Sequence, residues 1–378
     1  MSLCSILSPK RRTQVQFPTI PVDLVDFRRF PDMFITHMSR PFLEIVVWAG
    51  ILLLSFSGTA CNEKSTFSDQ SSSESPSVVR VGYFANLTHA QAILGLASGE
   101  LEQALAPTKL ETRVFNAGPA LIEALNAGEI DLAYVGPGPV ISAHVRSRGQ
   151  AIRVISGSAK NGVVLVATEA SGVRSLTDLK GKRLATPQVG NTQDISARHF
   201  LQQAIGDVSN VVPVPNAEQR NMMERGQIDA AWVPEPWGAL LIAQTGARLV
   251  LEEKDLWPDK QFVLTLVTTT PRFLEKYPET VKKFLRVHHR WTQRLDQNPG
   301  SYISQLSEAL FKLTQKSLPP EVLEQAISRV SFTDEPLAES LQSMNQWSYD
   351  LGFSRQIGSL EGLIDTTILD QVRHEETR

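Results

Sequence analysis

The chain has 378 residues, 42% of them hydrophobic and 20% charged, with a formal net charge of −3. That balance fits a globular body of two domains or one bilobed unit and offers no basic surface for nucleic acid. The two cysteines, Cys4 and Cys61, precede the globular part, and of the seven histidines only His288 and His289 adjoin; a disulfide framework, a metal site and a bound cofactor are therefore not expected.

Taken in chain order, the first feature is IVVWAGILLLSF at Ile45–Phe56. It is too short to span a bilayer and suits the apolar region of a signal peptide. Small residues follow (Ser57, Gly58, Thr59, Ala60), then Cys61, then the Ser-rich stretch NEKSTFSDQSSSESPS, which cannot bury a core and reads as a tether. This order resembles a bacterial lipoprotein signal, in which the cysteine is lipidated and becomes the mature N-terminus. Gly58 departs from the larger aliphatic residue usual three places before that cysteine. Residues 1–37 exceed a signal of normal length, which a start at Met33 or Met38 restores. The expectation is a leader over 1–60 and a flexible tether over 61–77. The body would then lie in the periplasm or at the cell surface, held to the membrane by lipid at Cys61. The competing reading is a buried apolar helix with an incidental cysteine.

From Ser77 onward short apolar runs alternate with amphipathic ones. Val78–Phe84 reads as a strand and Ala90–Leu105 as a helix interrupted at Gly99. Leu110–Asn116 reads as a strand, Gly118–Gly128 as a helix with Pro119 in its first turn, and Ile130–Gly136 as a strand. The pattern then repeats: strand at Lys182–Gln188, helix at Thr192–Ile205, strand VVPVP, helix AEQRNMMERG, strand IDAAWVP. Strand–helix alternation predicts parallel sheets. The clearest sign of two similar lobes is that GEIDLAYVGPGP (Gly128–Pro139) returns as GQIDAAWVPEPW (Gly226–Trp237). In each copy the glycine ends a helix, the isoleucine enters the sheet, the aspartate sits at the strand entrance, and prolines break the chain beyond it. VVLVAT (Val163–Thr168) and FVLTLVTTT (Phe262–Thr270) are expected to cross between lobes. From Pro271 the chain is mostly helical, with Val281, Phe284, Leu285, His288 and Trp291 at helical spacing. The resulting division is lobe one over 78–165, lobe two over 166–265, and a return to lobe one over 266–378.

The segments VRVGYFANLTHAQAILGL, FNAGPALIEALNAGEIDLAYVGPGP, SLTDLKGKRLATPQVGNTQDIS, GQIDAAWVPEPW and FLEKYPETVKKFLRVHH occur in an order and spacing that resemble the substrate-binding proteins of ABC importers. The branch is the one that includes aliphatic-sulfonate, taurine and nitrate binders, and the resemblance covers about residues 78–370. It implies an α/β, bilobed, periplasmic-binding-protein-like fold of type II, closing on its ligand by hinge motion. It also implies a monomer without catalysis, whose partners are permease subunits and a small anion such as an alkanesulfonate. Nitrate, taurine, phosphonate or a thiamine-precursor pyrimidine are the alternative ligands, and a pyrimidine-synthesising enzyme or a sensor module the alternative functions. The enzyme branch carries a cysteine-rich motif that is absent here, and no nucleophile elbow or metal-binding helix is present.

Ligands of parallel α/β sheets bind beyond the strands' carboxyl ends, which selects the strand-to-helix loops. The first offers Tyr83, Asn86, Thr88 and His89; Asn86 or Thr88 serves as a helix cap or a ligand donor, and His89 either donates to an anion or is a surface or core histidine. Gly118 allows close approach at a helix start, and Gly138 lies in a rigid Gly-Pro-Gly-Pro turn. The loop with Gln188, Asn191, Thr192 and Gln193 precedes a helix, whose free amides and dipole favour an anionic oxygen; it lacks the Gly-Lys-Ser/Thr ending of a Walker loop. In the last loop Trp237 forms an apolar wall or joins the core. Glu235 there faces a ligand donor or caps the next helix. Lys160 is a candidate charge partner.

Overall fold

The computed structural model describes residues 74–377; the leader, the apolar run Ile45–Phe56 and Cys61 lie outside the described residues. The first sheet opens with β1 (Val78–Phe84), followed by a 3-10 turn (Leu87–His89), α1 (Ala90–Ala97) and α2 (Glu100–Leu105). Then come β2 (Lys109–Phe115), α3 (Gly118–Asn126), β3 (Leu132–Val135), α4 (Pro137–Arg146) and β4 (Arg153–Asn161). The second sheet is built from β5 (Val163–Ala167), β6 (Leu184–Thr186), α5 (Thr192–Ile205), β7 (Val211–Pro213), α6 (Asn216–Glu224), β8 (Ala230–Pro234), α7 (Trp237–Thr245) and β9 (Arg248–Glu252). The chain then returns through β10 (Val263–Thr269), α8 (Pro271–Lys276), α9 (Pro278–Gln297), α10 (Ile303–Thr314), α11 (Pro320–Ile327), β11 (Val330–Phe332), α12 (Ala338–Asp350) and α13 (Thr367–Glu376).

The strand orders are β11-β4-β10-β3-β1-β2 and β7-β6-β8-β5-β9. The trios β2-β1-β3 and β7-β6-β8 are parallel, as the alternation predicts. Each is extended by antiparallel strands: β10 lies between β3 and β4, and β5 between β8 and β9. The reason is the double crossing. β4 leaves the first sheet where β10 re-enters it, and β5 enters the second sheet where β9 leaves it. Two crossings at one place force each leaving strand to oppose its returning neighbour. The crossings themselves fall at Gly162 and at residues 253–262. The two apolar runs expected to cross are instead sheet strands that flank them.

The internal repeat has a shared physical basis. At the entrance of β3, the Asp131 carboxylate accepts from the Arg80 amide (2.8 Å) and from Arg80 Nε (3.0 Å), while Arg80 Nη1 donates to the Gly128 carbonyl (2.6 Å). At the entrance of β8, Asp229 accepts from the Arg183 amide (2.8 Å), while Arg183 Nη2 donates to the Gly226 carbonyl (2.5 Å). Gly128 and Gly226 have φ of 72° and 65°, a left-handed helix end that suits glycine. The aromatic residue of each copy is fully buried and keeps a polar partner. The Tyr134 hydroxyl pairs with His288 Nδ1 (2.9 Å), and Trp232 Nε1 donates to Glu253 (2.6 Å).

The C-terminal region packs mainly on the first sheet. α9 lays Val281, Phe284, Leu285, Trp291 and Leu295 into its core, each buried side chain contributing roughly 1.5–3 kcal/mol. Two features were not expected from the sequence. β11 is an edge strand paired with β4, and α12 packs on both α4 and α5. At the other end the main chain is already held at Pro76 and Ser77, whose carbonyls accept from Thr108 Oγ1 (2.8 Å) and the Lys109 amide (3.0 Å).

Candidate functional site

Between the two sheets lies a cleft of about 30 Å³, to which the chain just beyond each of the six parallel strands contributes. Beyond β1 it is lined by Asn86, Thr88 and His89, beyond β2 by Asn116 and Gly118, and beyond β3 by Gly136 and Pro139. The second sheet adds Pro187, Asn191, Thr192 and Gln193 beyond β6, Asn216 beyond β7, and Pro234 at the end of β8. α3, α4, α5 and α6 all start on this cleft, so positive dipole ends converge there, with unpaired first-turn amides from α3, α5 and α6; α4 adds none, because its first turn is Pro137, Gly138 and Pro139 and the Gly138 amide is taken by Thr192. No Asp, Glu, Lys or Arg lines it.

The lobe-two wall is built by the capped start of α5. Asn191 Oδ1 accepts from the Asp194 amide (2.8 Å), and Asn191 Nδ2 donates to Gln193 Oε1 (3.1 Å). Asp194 is fully buried and accepts from Thr186 Oγ1 (2.7 Å), the Gly190 amide (2.9 Å) and Arg198 Nε (3.0 Å). The Asn191 side chain is therefore occupied in the cap, and the Thr192 and Gln193 amides, at the first turn of α5, have no partner within the helix. On the lobe-one wall, His89 Nδ1 accepts from the Phe84 amide (3.3 Å). Burial holds the imidazole neutral, with its pKa lowered to about 3, so the remaining proton sits on Nε2 as an uncharged donor.

The lobes touch across the cleft. The Gly138 amide donates to Thr192 Oγ1 (3.2 Å), and Trp237 Nε1 donates to Asn86 Oδ1 (2.7 Å). A Cβ at Gly136 would stand 2.3 Å from Thr192 Oγ1, so the two helix starts meet this closely only without a side chain there.

The structure thus brings Asn86, Thr88, His89, Gly118, Asn191, Thr192 and Gln193 together in one cleft, and it places the other candidates elsewhere. Tyr83 faces the core on the far side of the sheet, because alternate strand residues point oppositely; its neighbour Phe84 lines the cleft instead. Gly138 forms the contact seam, and Gln188 holds the loop through its carbonyl, which accepts from the Asn191 amide at 3.2 Å. Glu235 is a buried cap: it accepts from the Ala239 amide at the start of α7 (3.0 Å) and from Arg329 Nη1 (2.6 Å). Burial pushes its carboxyl up, opposed by the amide and the guanidinium. Trp237 stands at the rim, and Lys160 reaches Gln261 (3.2 Å) outside the cleft. Asn116 and Gly136 lie in loops that the strand-end rule selected, although the glycines Gly118 and Gly138 were the residues chosen there; Asn216, after β7, was not singled out although the same rule points to it. Leu264 and Thr265 carry no such signal, since they line the cleft from inside β10.

Among the described residues no group of three His, Cys, Asp or Glu could hold a metal ion, and no helix is long and apolar enough to cross a membrane.

Comparison with known proteins agrees with this architecture. The model of the NMT1-like family matches residues 72–304, more than half of the chain. A Brucella abortus protein, provisionally named a binding protein, is 28% identical over 276 residues, which are 71% of this chain and 82% of its own. Among solved structures, the alkanesulfonate-binding protein SsuA of Xanthomonas axonopodis pv. citri bound to MOPS aligns with a TM-score of 0.65 at 22% identity, covering 77% of this chain and 99% of its own. The nitrate-binding protein NrtA of Synechocystis PCC 6803 aligns with a TM-score of 0.67 at 14% identity, covering 79% and 89%. At these identities the two structures speak to the fold, which is the bilobed periplasmic-binding one. The named relatives are binding proteins, not enzymes, and this chain is likewise not an enzyme. It belongs to the NMT1-like family, among the substrate-binding proteins of ABC importers.

Proposed function

We propose that this chain captures a small anionic organic solute, an aliphatic sulfonate, outside the cytoplasmic membrane and delivers it to an ABC permease. One observation carries the reading: four helix starts and a neutral histidine donor meet in a cleft with no formal charge of its own. Such a site replaces the hydration of a monoanion with fixed dipoles and amides. A sulfonate suits it, being a permanent monoanion with three acceptor oxygens. A phosphonate dianion would bring a second charge to a head site whose lining holds no cation. Release calls for parting of the lobes, and the segments free to bend are the two crossings, at Gly162 and at residues 253–262. Relatives named as periplasmic binders support the location. The lipid anchor at Cys61 and the monomeric state rest on the sequence and the family resemblance.

The test is a thermal-shift and calorimetric panel on the mature chain with alkanesulfonates, taurine, nitrate, phosphonates and pyrimidines. An alkanesulfonate at 100 times its Kd should stabilise the fold by about 2.7 kcal/mol through mass action. A panel in which no sulfonate raises the melting temperature, or in which a solute is chemically converted, sinks the proposal.

A further inference from the structure

The cleft is too small for more than the head of an organic solute, which raises the question of where the rest goes. Next to it lies a second cavity of about 310 Å³ that shares Asn216 as a wall. Its floor is Trp237, the residue that hydrogen-bonds Asn86 of the cleft. Two cations from different lobes line the same cavity. Arg220 comes from α6, and Lys316 from the turn after α10. Lys316 Nζ lies 5.2 Å from the Trp237 ring centroid and donates to the Ala217 carbonyl (3.1 Å).

Among the described residues Lys316 has no carboxylate partner; Arg220 reaches one carboxylate, Glu224 at 3.7 Å, and donates to the neutral Gln244 Oε1 and Asn221 Oδ1 (both 3.4 Å), the Arg220 and Glu224 side chains being about half exposed. Partial burial, and after it the neighbouring Arg220, hold the Lys316 ammonium below its ordinary pKa, as expected for a cation without a counter-ion beside a like charge. A cation from each lobe means that the pair is assembled only when the lobes are together.

We propose that this cavity is the distal subsite of the same solute: a second acidic group, separated from the head by a short carbon chain, binds between Lys316 and Arg220 above Trp237. The inference rests on the solute-capture reading above and narrows it to a bifunctional organic acid. The competing room is the apolar pocket of about 240 Å³ lined by Ile122, Ile141, Val189 and Phe353. It shares Pro139 with the cleft, and the Gly138–Thr192 contact lies at the same seam. That pocket would favour a plain alkyl chain.

Calorimetry distinguishes the two. The probes are alkanesulfonates and ω-sulfonatocarboxylates of matched length, from three to six carbons. They are titrated into the wild-type mature chain, Lys316→Met, Arg220→Met and the double variant. The expected result is that at one chain length or more the sulfonatocarboxylate binds wild type about tenfold more tightly than its alkanesulfonate, as a charge-assisted pair supplies. That ratio should fall towards one in the double variant. Reading the ratio within each variant cancels any effect on lobe closure, and both side chains are exposed, so the variants should fold. Equal affinities at every length, a gain that follows alkyl length alone, or an advantage that survives the double substitution each overturns the distal subsite while leaving sulfonate capture intact. Failure of wild type to bind any sulfonate overturns both.

Discussion

The turns that follow β3 and β8 start from one eight-residue pattern and diverge at the ninth. Up to Val135 and Val233 the two copies share the Asp–Arg–glycine lock, the same strand register and a buried aromatic residue with a polar partner. Past that point Gly136 and Gly138 bring one backbone against Thr192. The other copy instead holds the buried charge of Glu235 against Arg329, which precedes β11 of the first sheet. The shared part builds a strand, and the divergent part decides how its lobe meets the other. One turn makes a close contact at the cleft, and the other makes an ion pair between lobes, away from the cleft lining.

The largest effect should come from breaking that ion pair. Arg329→Met leaves Glu235, whose side chain is 0% exposed, with the Ala239 amide alone. Urea unfolding at pH 7 should show a loss of about 3 kcal/mol, partly restored by adding Glu235→Gln. A loss below about 0.5 kcal/mol would reduce this turn to a passive cap and erase the contrast.

The buried aromatic pairs should respond to pH with opposite signs. Glu253, fully buried and hydrogen-bonded to Trp232, Trp257 and Ser196, has a pKa raised by burial from 4.5 to about 7. The folded state holds its proton where the unfolded state has lost it, so its contribution is full below about pH 4.5 and lost as pH rises to about 7, amounting to roughly 3 kcal/mol. His288, buried beside Tyr134, has a pKa lowered by burial from 6.5 to about 4. Its contribution is full above about pH 6.5 and lost as pH falls to about 4. Glu253→Gln should therefore steepen the rise of stability between pH 4.5 and 6.5, and His288→Asn should flatten or reverse it. Equal slopes in the two variants would end the parallel.

A smaller difference is expected within the shared lock. Asp131 is the more enclosed (side chain 10% exposed, against 24% for Asp229) and accepts from both the amide and the guanidinium of Arg80, whereas Arg183 Nε lies 3.5 Å from Asp229. Asp131→Ala should cost about 2 kcal/mol and Asp229→Ala about 1, read as a shift of the denaturation midpoint. The smallest effect is at the seam. Thr192→Ala removes the hydroxyl that meets the Gly138 amide and should raise the solute Kd about fivefold without a comparable loss of stability. An unchanged Kd takes this side chain out of binding.

Much of this was legible in the sequence because it follows from local rules. The parallel trios come from strand–helix alternation, and the cleft loops from the rule that ligands sit beyond strand ends. The α5 wall was legible only as a glycine-containing loop before a helix; that Asn191 spends its side chain on the cap with Asp194 was not read. What else escaped depends on distance in space. Strand direction at the crossings follows from two passages at one place, which no local pattern records. Glu235 was ambiguous because its partner Arg329 lies 94 residues away. Leu264 and Thr265 reach the cleft from mid-strand, and β11 is three residues long and interrupts a helical stretch.

The meeting of α4 and α5 start to start gives closure an energetic sign. Like poles of two dipoles approach to within a hydrogen bond and resist it, in a slot without any fixed countercharge. A guest with a negative head removes that repulsion, whereas an uncharged isostere of the same shape leaves it in force. Discrimination then resides in how far the jaws stay shut and not only in the bonds made once inside. A transporter that recognises the shut form would in this way ignore neutral mimics that merely visit the open one.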